Sequence, residues 1–282
     1  MMSNYHVERM NRDEVTLAVD WARQEGWNPG LHDAECFYQT DPHGFFAGKL
    51  NNHIIAVGSA VIYDEHFSFC GFYIVDKKYR TQGYGMELTQ ARLAYIGNRN
   101  AGIDGVLEMT DNYERIGYRF AHNNARYALV NRRIALKPME PLVDLKIVPF
   151  EQLAVYDRQH FPAPRAKFLI NWIKQDQALA LASVEEGQLQ GYGVIRKCFS
   201  GYKIGPLFAD SPEIANTLFE QLVAHAHGEL VFLDIPENNP FALDLVEHYG
   251  MTKIFATARM YLKEAPALSI EGIYGITSFE LG

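Results

Sequence analysis

Residues 69–75 read Phe-Cys-Gly-Phe-Tyr-Ile-Val, and residues 80–85 read Arg-Thr-Gln-Gly-Tyr-Gly. The first run is apolar without alternation, which predicts a strand that is buried on both faces in the middle of a sheet. After the second run, apolar residues recur at helical spacing from Leu88 to about Asn98. The order of buried strand, glycine loop and helix predicts a mixed α/β fold built around this unit.

The glycine loop between that strand and that helix is a predicted anion site. Backbone N–H groups at the start of a helix have no intrahelical acceptor and lie at the positive end of the helix dipole, and glycine lets a phosphate approach closely. A dinucleotide fingerprint would need a third glycine where Leu88 stands, and a triphosphate loop would need lysine where Met86 stands. Both interpretations fail, and coenzyme A is the remaining anion.

The composition limits the classes of protein to which this chain can belong. Its 282 residues are enough for about two domains, and a hydrophobic content of 48% is enough to fill a core in each. The formal net charge of -8 argues against nucleic acid as the main partner. Three widely separated cysteines, Cys36, Cys70 and Cys198, argue against a disulfide framework or a thiolate zinc site. With no signal-peptide pattern and no apolar run of ~20 residues, the chain is predicted to be cytoplasmic and without a membrane partner.

The chain repeats one structural plan. Each half is predicted to contain helices and strands in the same order, which suggests a duplication. In the second half, a buried strand at residues 204–208 precedes a long helix that starts at Pro212. Residues 131–145, a polar stretch that contains two prolines, are predicted to be a linker. We therefore expect two domains, residues 1–137 and residues 138–282.

Three stretches of the sequence resemble the GNAT family of N-acetyltransferases. Residues 75–85 resemble motif A of that family, in which a strand that ends in valine is followed by Arg/Gln-x-x-Gly-x-Gly/Ala. Residues 112–118, Asn-Tyr-Glu-Arg-Ile-Gly-Tyr, look like the Tyr-x-x-x-Gly-Phe ending of the last GNAT helix. In the second half, residues 239–251 resemble the same ending, with Val246 at the tyrosine position.

The arrangement of residues 27–30 (Trp-Asn-Pro-Gly), 161–165 (Phe-Pro-Ala-Pro-Arg) and 201–207 (Gly-Tyr-Lys-Ile-Gly-Pro-Leu) resembles, over nearly the whole chain, that of bacterial YitH-like proteins that carry two GNAT domains in tandem. The loop of the second half, residues 205–212, has no Gly-x-Gly and carries Asp210 where a pyrophosphate would need donors. The resemblance therefore implies an α/β fold with mixed sheets, arranged as two tandem GNAT (acyl-CoA N-acyltransferase) domains. It also implies a degenerate second domain that has lost acetyl-CoA binding.

The resemblance implies a function for the first domain. That function is an acetyl-CoA-dependent N-acetyltransferase in which a primary amine attacks the thioester directly within a ternary complex. In the family, loop amides bind the pyrophosphate and the fourth strand pairs with the pantetheine arm. Carried over to this sequence, the residues implied for acetyl-CoA (coenzyme A) are Tyr73, Ile74, Val75, Arg80, Thr81, Gln82, Gly83, Tyr84, Gly85 and Asn112.

Catalytic residues follow from the same resemblance. Tyr113 lies four residues before Gly117, where many family members place the tyrosine that protonates the departing thiolate. Residues 69–75 contain no carboxylate, so proton removal would fall to Glu108 or to a chain of water molecules. No metal site is expected.

The acceptor is predicted to be the primary amine of a small molecule. Trp27, Asn28 and Asp33 stand where GNAT proteins place the acceptor-lining loop, and residues 161–165 of the second half are candidates to cover the same cleft. Two alternatives stay open: a non-catalytic acyl-CoA sensor, and a protein or peptide acetyltransferase with an open acceptor groove. The oligomeric state is expected to be a monomer or a homodimer.

Overall fold

The computed structural model describes residues 5–130 and 142–282 of the chain. The first half contains, in order, β1 (Tyr5–Arg9), α1 (Arg12–Gln24), α2 (Asp33–Thr40), β2 (Phe45–Leu50), β3 (His53–Ser59), β4 (Val61–Ile62), β5 (Phe67–Phe69), β6 (Ile74–Val75), α3 (Tyr84–Ile96), β7 (Asn100–Val106), α4 (Thr110–Ile116) and β8 (Arg119–Leu129). The second half contains β9 (Val143–Asp144), α5 (Phe150–His160), α6 (Ala166–Trp172), β10 (Ala178–Glu185), β11 (Gln188–Lys197), β12 (Tyr202–Ala209), α7 (Pro212–His225), β13 (Val231–Pro236), α8 (Pro240–His248), β14 (Thr252–Tyr261) and β15 (Ile273–Gly275). The predicted domain boundary at residue 137 and most of the predicted linker lie outside the described residues.

Helix α1 begins where its capping residues require. The Asn11 side chain accepts a hydrogen bond from the Glu14 N–H, and the Glu14 carboxylate accepts one from the Asn11 N–H, each at 3.0 Å. This reciprocal capping box satisfies two backbone donors that the first turn of a helix leaves without partners. Val15 and Val19 lie on the face of α1 that is buried against the core.

Residues 69–75, for which the sequence predicts one continuous strand, are divided between two strands, β5 and β6. Strands β5 and β6 are separated by residues 70–73, and Phe72 adopts a left-handed conformation with φ of 49°. Such a conformation is strained for a bulky residue and persists only where the surroundings hold it. The Phe72 ring is buried against Phe37 and Phe45, with ring centroids 5.6 and 6.5 Å away. The break lets β6 join a different sheet from β5.

The strands form two sheets, and the two halves exchange strands within the larger one. The smaller sheet has the order β1-β2-β3-β6. The larger sheet has the order β4-β5-β7-β14-β8-β13-β12-β11-β10-β9, and β15 pairs with β12. Strand β14 of the second half therefore lies between β7 and β8 of the first half, and β8 lies between β13 and β14. Each half therefore contributes one strand, β8 or β14, to the part of the sheet that the other half forms.

A buried ion pair marks each exchanged strand. Arg259 of β14 binds Asp104 of β7 with two hydrogen bonds, and Arg126 of β8 binds Asp234 of β13 in the same way. In both pairs the two residues are direct neighbours across the strands. Strands β7 and β13 thus each carry an aspartate that is neutralised by an arginine of the other half.

The helices on one face of the sheets pack together across the two halves. Phe37 of α2 stacks on Trp172 of α6, with ring centroids 5.9 Å apart, inside a hydrophobic core that draws on both halves. Helix α3 packs on the opposite face, where Leu88 is fully buried. Within residues 5–130 and 142–282, no helix combines the length and the apolar character needed to cross a bilayer.

Candidate active site

A gap opens between β6 and β7 in the first half, and we call it the slot. Strands β5 and β7 are paired up to Gly102, whose carbonyl accepts a hydrogen bond of 2.9 Å from the Cys70 N–H. Beyond this point β6 pairs with β3 on its other side, and β7 pairs with β14. In the described part of the chain, no strand lies between β6 and β7. The slot therefore presents strand edges to a ligand, which is the arrangement that strand-like ligands use.

The predicted glycine loop lies between β6 and α3. Gly83 precedes the first turn of α3 with φ of 91°, and a Cβ atom at this position would meet no atom within 4 Å. At Gly85, by contrast, a Cβ atom would overlap the Tyr73 hydroxyl. Residues 80–83 of the loop are exposed, Tyr84 and Gly85 are half-buried, and the N–H groups that open α3 have no acceptor within the helix. A positive-φ glycine and an open helix N-terminus fit a pyrophosphate group.

The charged side chain of the loop is already engaged. Arg80 donates a hydrogen bond of 2.8 Å to the Val75 carbonyl and forms an ion pair of 2.7 Å with Glu25. Gln82 donates to the Lys78 carbonyl at 2.9 Å, and the Thr81 hydroxyl donates to the Arg80 carbonyl. These bonds fix the course of the loop and leave its backbone N–H groups as the candidate donors to an anion.

Tyr113 lies against one wall of the slot. Its ring contacts Gly105 of β7 so closely that a Cβ atom at this position would overlap it, and it packs edge-on to Tyr118 with centroids 6.5 Å apart. Burial raises the pKa of Tyr113, and the positive charge of Arg92 opposes this rise. Tyr113 is therefore a protonated phenol at neutral pH.

The other residues predicted around the slot lie further out. Asn112 is on α4, where its side chain donates to the Met109 sulfur at 3.4 Å and accepts from Arg115 at 3.2 Å. Glu108 is exposed on the short 3-10 turn Leu107–Met109 that follows β7. The described residues contain no group of three histidine, cysteine, aspartate or glutamate side chains arranged to hold a metal ion.

The predicted acceptor loop contacts the second half. The Trp27 carbonyl accepts a hydrogen bond of 3.5 Å from Lys203 of the second half and one of 2.6 Å from Arg126 of β8, and Asn28 exchanges two hydrogen bonds with the backbone of Ser200. Asp33 is fully buried and binds Arg196 with two hydrogen bonds of 2.8 and 3.1 Å. The carboxylate of Asp33 therefore faces a guanidinium of the second half, and contact with a cationic amine would require this pair to open.

A second opening lies where the two halves meet, close to the start of the slot, and we call it the seam cleft. Its cavity volume is about 30 Å³, and it opens partly to solvent. Arg259 lies at its edge, 5.1 Å above the Phe69 ring, and Tyr261 packs against Gly102, the residue at which the slot begins. Its lining comes from both halves: His122, His160, Phe161, Pro162, Phe208, Pro236, Arg259, Tyr261, Leu268, Ile270, Ile273, Ile276, Thr277 and Gly282.

The sequence gives no local signal for the seam cleft. His122 and Arg259 come from the exchanged strands β8 and β14, which become neighbours only in the folded chain. Burial and the charge of Arg259 lower the pKa of His122 to about 4, so this side chain is uncharged at neutral pH. Phe161, by contrast, lies in the segment that the sequence analysis placed over the acceptor.

The second half has an equivalent gap, but its own chain fills it. Strands β12 and β13 are paired only over their first residues, 202–204 and 231–233. Beyond them, β15 pairs with β12, and the Ile276 N–H donates to the Asp234 carbonyl of β13 at 2.8 Å. The start of α7 is also closed, because the Ser211 hydroxyl accepts the Ile214 N–H. A segment of the second half thus occupies the position that the slot leaves open in the first half.

Models of two acetyltransferase domains match the chain. The model of the acetyltransferase (GNAT) family matches residues 12–118, and a model of an acetyltransferase (GNAT) domain matches residues 153–275. Together the two matches place one such domain in each half.

Relatives along the whole chain have similar descriptions. Holothin acyltransferase of Pseudoalteromonas sp. (strain SANK 73390) is 27% identical over 271 residues, which cover 96% of this chain and 92% of that protein. YitH of Bacillus subtilis (strain 168), described as an uncharacterized N-acetyltransferase, is 24% identical over 277 residues, which cover 97% of each chain.

Solved structures support the same fold. A crystal structure of a candidate acetyltransferase from Pyrococcus horikoshii superposes with a TM-score of 0.84 at 22% identity, over 100% of this chain and 97% of that one. A tandem GNAT protein from the clavulanic acid biosynthesis pathway superposes with a TM-score of 0.64 at 12% identity, over 93% of this chain and 100% of that one. With a GNAT domain matched in each half and tandem neighbours along its whole length, the chain belongs to the GNAT acetyltransferase family as a tandem GNAT protein of the N-acetyltransferase class.

Proposed function

We propose that this protein transfers the acetyl group of acetyl-CoA to a primary amine of a small molecule, with the chemistry at the slot of the first half. The observation that carries the proposal is the contrast between the two halves. In the first half the slot between β6 and β7 is open and leads to a glycine loop. In the second half the equivalent gap holds β15.

Residues of the slot and the loop would hold acetyl-CoA, which supplies an acetyl group activated as a thioester. The backbone N–H groups at Gly83, Tyr84 and Gly85 would bind the pyrophosphate, because they open a helix and have no acceptor within it. The backbone of Tyr73 and of β6 would pair with the pantetheine arm as an added strand pairs with a sheet edge. Asn112 on α4 stays a predicted contact of the cofactor.

The burial of the cysteine at the slot favours direct attack by the amine over transfer through a covalent acyl-cysteine. Cys70 is the cysteine at the start of the slot, and it is buried, with its thiol against Tyr118. Positioning of the two substrates then supplies much of the rate acceleration. Tyr113 is placed to give its proton to the departing sulfur, and Glu108 or ordered water remains the proposed route by which the amine loses its proton.

The acceptor site that we propose is the seam cleft. It adjoins the start of the slot, and Phe161, Ile270 and Ile273 of the second half cover it. At about 30 Å³ the cleft would have to widen to admit even a small amine, and a peptide would need a far more open groove. Residues 1–137 would then form the catalytic domain, and residues 138–282 would shape the acceptor site.

Isothermal titration calorimetry with acetyl-CoA tests the proposal. We expect one site per chain in the unmodified protein and a loss of binding in Gly83→Glu, which places a carboxylate among the phosphate donors. Gly187→Glu is a matched control, because Gly187 also has a positive φ, of 79°, and also faces open space, but it lies in the turn between β10 and β11. Equal loss in both variants, or no binding in the unmodified protein, would contradict the proposal.

Turnover is tested separately with a panel of small primary amines. Release of free thiol that depends on both acetyl-CoA and an amine supports the transferase. Binding of acetyl-CoA without turnover of any amine would support an acyl-CoA sensor instead. Turnover of peptides alone would support a peptide acetyltransferase.

A further inference from the structure

Arg92 of α3 is a buried cation that forms no ion pair with a described residue. Its side chain is 7% exposed. The four other buried arginines of the described chain each bind an aspartate, in the pairs Arg126–Asp234, Arg165–Asp157, Arg196–Asp33 and Arg259–Asp104. A buried charge without a counterion is destabilising by several kcal/mol in principle, and on the order of 3 kcal/mol or more when a partner is removed. An arginine kept in this state therefore calls for a specific role.

Hydrogen bonds place the Arg92 guanidinium at the point where the slot opens. Its Nε donates to the Ser59 carbonyl at 2.8 Å, and its Nη2 donates to the Gly71 carbonyl at 3.4 Å. Ser59 ends β3, and Gly71 directly precedes Phe72, the residue with the left-handed conformation. The Arg92 side chain thus connects helix α3 by hydrogen bonds to the break between β5 and β6.

The guanidinium also faces the tyrosines of the slot. It lies 5.4 Å from the centroid of the Tyr73 ring, and its positive charge opposes the rise that burial causes in the pKa of Tyr113 and of Tyr118. The titratable groups that face Tyr113 are Arg92 from α3 and Tyr73 from the segment before β6, and Cys70 faces Tyr118. Arg92 is the cation in this group.

We propose that Arg92 is a positioning residue of the slot, whose charge favours proton donation by Tyr113 and whose hydrogen bonds hold the strand break open. This inference rests on the proposed function of the slot. It adds a residue outside the glycine loop and outside the helix ending that carries Tyr113.

The step in which Arg92 acts can be written in full. The amine nitrogen gives its electron pair to the acetyl carbon, and the bond from this carbon to sulfur breaks with its electron pair going to sulfur. The Tyr113 hydroxyl transfers its proton to that sulfur and becomes a phenolate, which the nearby guanidinium stabilises. The proton released by the nitrogen returns to Tyr113 through Glu108 or water, so the tyrosine ends the cycle as it began.

Kinetics provide the first part of the test. Arg92→Met removes the charge with little change in volume, and we expect a loss in kcat of roughly tenfold from the lost electrostatic stabilisation. In a Tyr113→Phe background, the same substitution should change kcat by much less, because the proton donor is already absent. Equal losses in both backgrounds would overturn the link between the two residues.

A spectroscopic readout separates charge from structure and needs no turnover. With 3-fluorotyrosine at position 113, the 19F resonance reports ionisation of the phenol in the protein alone. We expect a higher titration midpoint in Arg92→Met, and a midpoint close to that of the unmodified protein in Arg92→Lys. Arg99→Met is the control, since Arg99 also binds two carbonyl groups but lies in the turn between α3 and β7.

An unchanged midpoint in Arg92→Met would overturn the proposal even if kcat fell. A raised midpoint in Arg99→Met of the same size would also overturn it, because the effect would then follow from loosening α3. Failure of acetyl-CoA to bind would refute the proposed function in the calorimetric experiment and would leave the 19F result to stand by itself.

Discussion

Removing Arg259 should destabilise the protein strongly, because it leaves the carboxylate of Asp104 buried without its cation. Asp104 is fully buried and accepts hydrogen bonds of 2.9 and 2.7 Å from Arg259 and of 2.6 Å from Asn124. Arg259→Met removes both charge-assisted bonds and leaves only the amide donor. Breaking a buried pair in this way lowers the free energy of unfolding by about 3–5 kcal/mol.

The pH dependence of this loss has a definite sign. Burial raises the pKa of Asp104, and Arg259 opposes the rise without cancelling it. Without Arg259 the pKa of Asp104 rises further, because burial then acts almost unopposed. Protonation of Asp104 relieves the unpaired charge, so the deficit is complete above the pKa that Asp104 has in the variant and shrinks as the pH falls through it.

Urea unfolding of the unmodified protein and of Arg259→Met, at pH 8 and at pH 5, measures both effects. A second substitution, Asp104→Asn, removes the charge and keeps an oxygen for Asn124, so the double variant should regain most of the lost stability. A deficit below about 1 kcal/mol, the range of an exposed ion pair, would refute the reasoning. So would a deficit that is the same at both pH values.

Three further predictions concern local contacts. Gly85→Ala should weaken acetyl-CoA binding, because the new methyl group overlaps the Tyr73 hydroxyl, and Tyr73→Phe should restore affinity in the same titration; no restoration would contradict the contact. Gly105→Ala should lower kcat more than it changes KM for acetyl-CoA, since it displaces the Tyr113 ring, and a change confined to KM would count against this role. Asn11→Ala should lower the free energy of unfolding by about 1 kcal/mol through loss of the capping box, and no change in the urea midpoint would be inconsistent with it.

Local signals in the sequence were sufficient for several parts of the molecule. The capping box at Asn11 has a local signal, because its two partners, Asn11 and Glu14, are three residues apart in the sequence. The mixed α/β class, predicted from the order of apolar strand, glycine loop and helix, and the tandem GNAT fold, implied by the resemblance, are confirmed by the matched domain models and solved structures. The roles predicted for the site residues remain predictions.

Features that depend on distant residues could not be read from the sequence. Asp104 and Arg259 are 155 residues apart, and nothing local pairs them, so the strand exchange has no signature in the chain. The left-handed conformation of Phe72 interrupts a run whose apolar pattern predicts a continuous strand. A strand that is buried on both faces shows no alternation of apolar and polar residues, so the sequence contains no change of pattern at which the break could be recognised. Strand β15 is only three residues long, and its partner β12 lies in another part of the half.

The central claim is that the chain has one cofactor site, in the slot of the first half. A crystal structure of the protein with coenzyme A tests it most directly. We predict density for one molecule per chain between β6 and β7, with its pyrophosphate at residues 83–85 and with β15 still paired to β12. Density between β12 and β13 with β15 displaced, or coenzyme A bound elsewhere with the slot closed, would contradict the account.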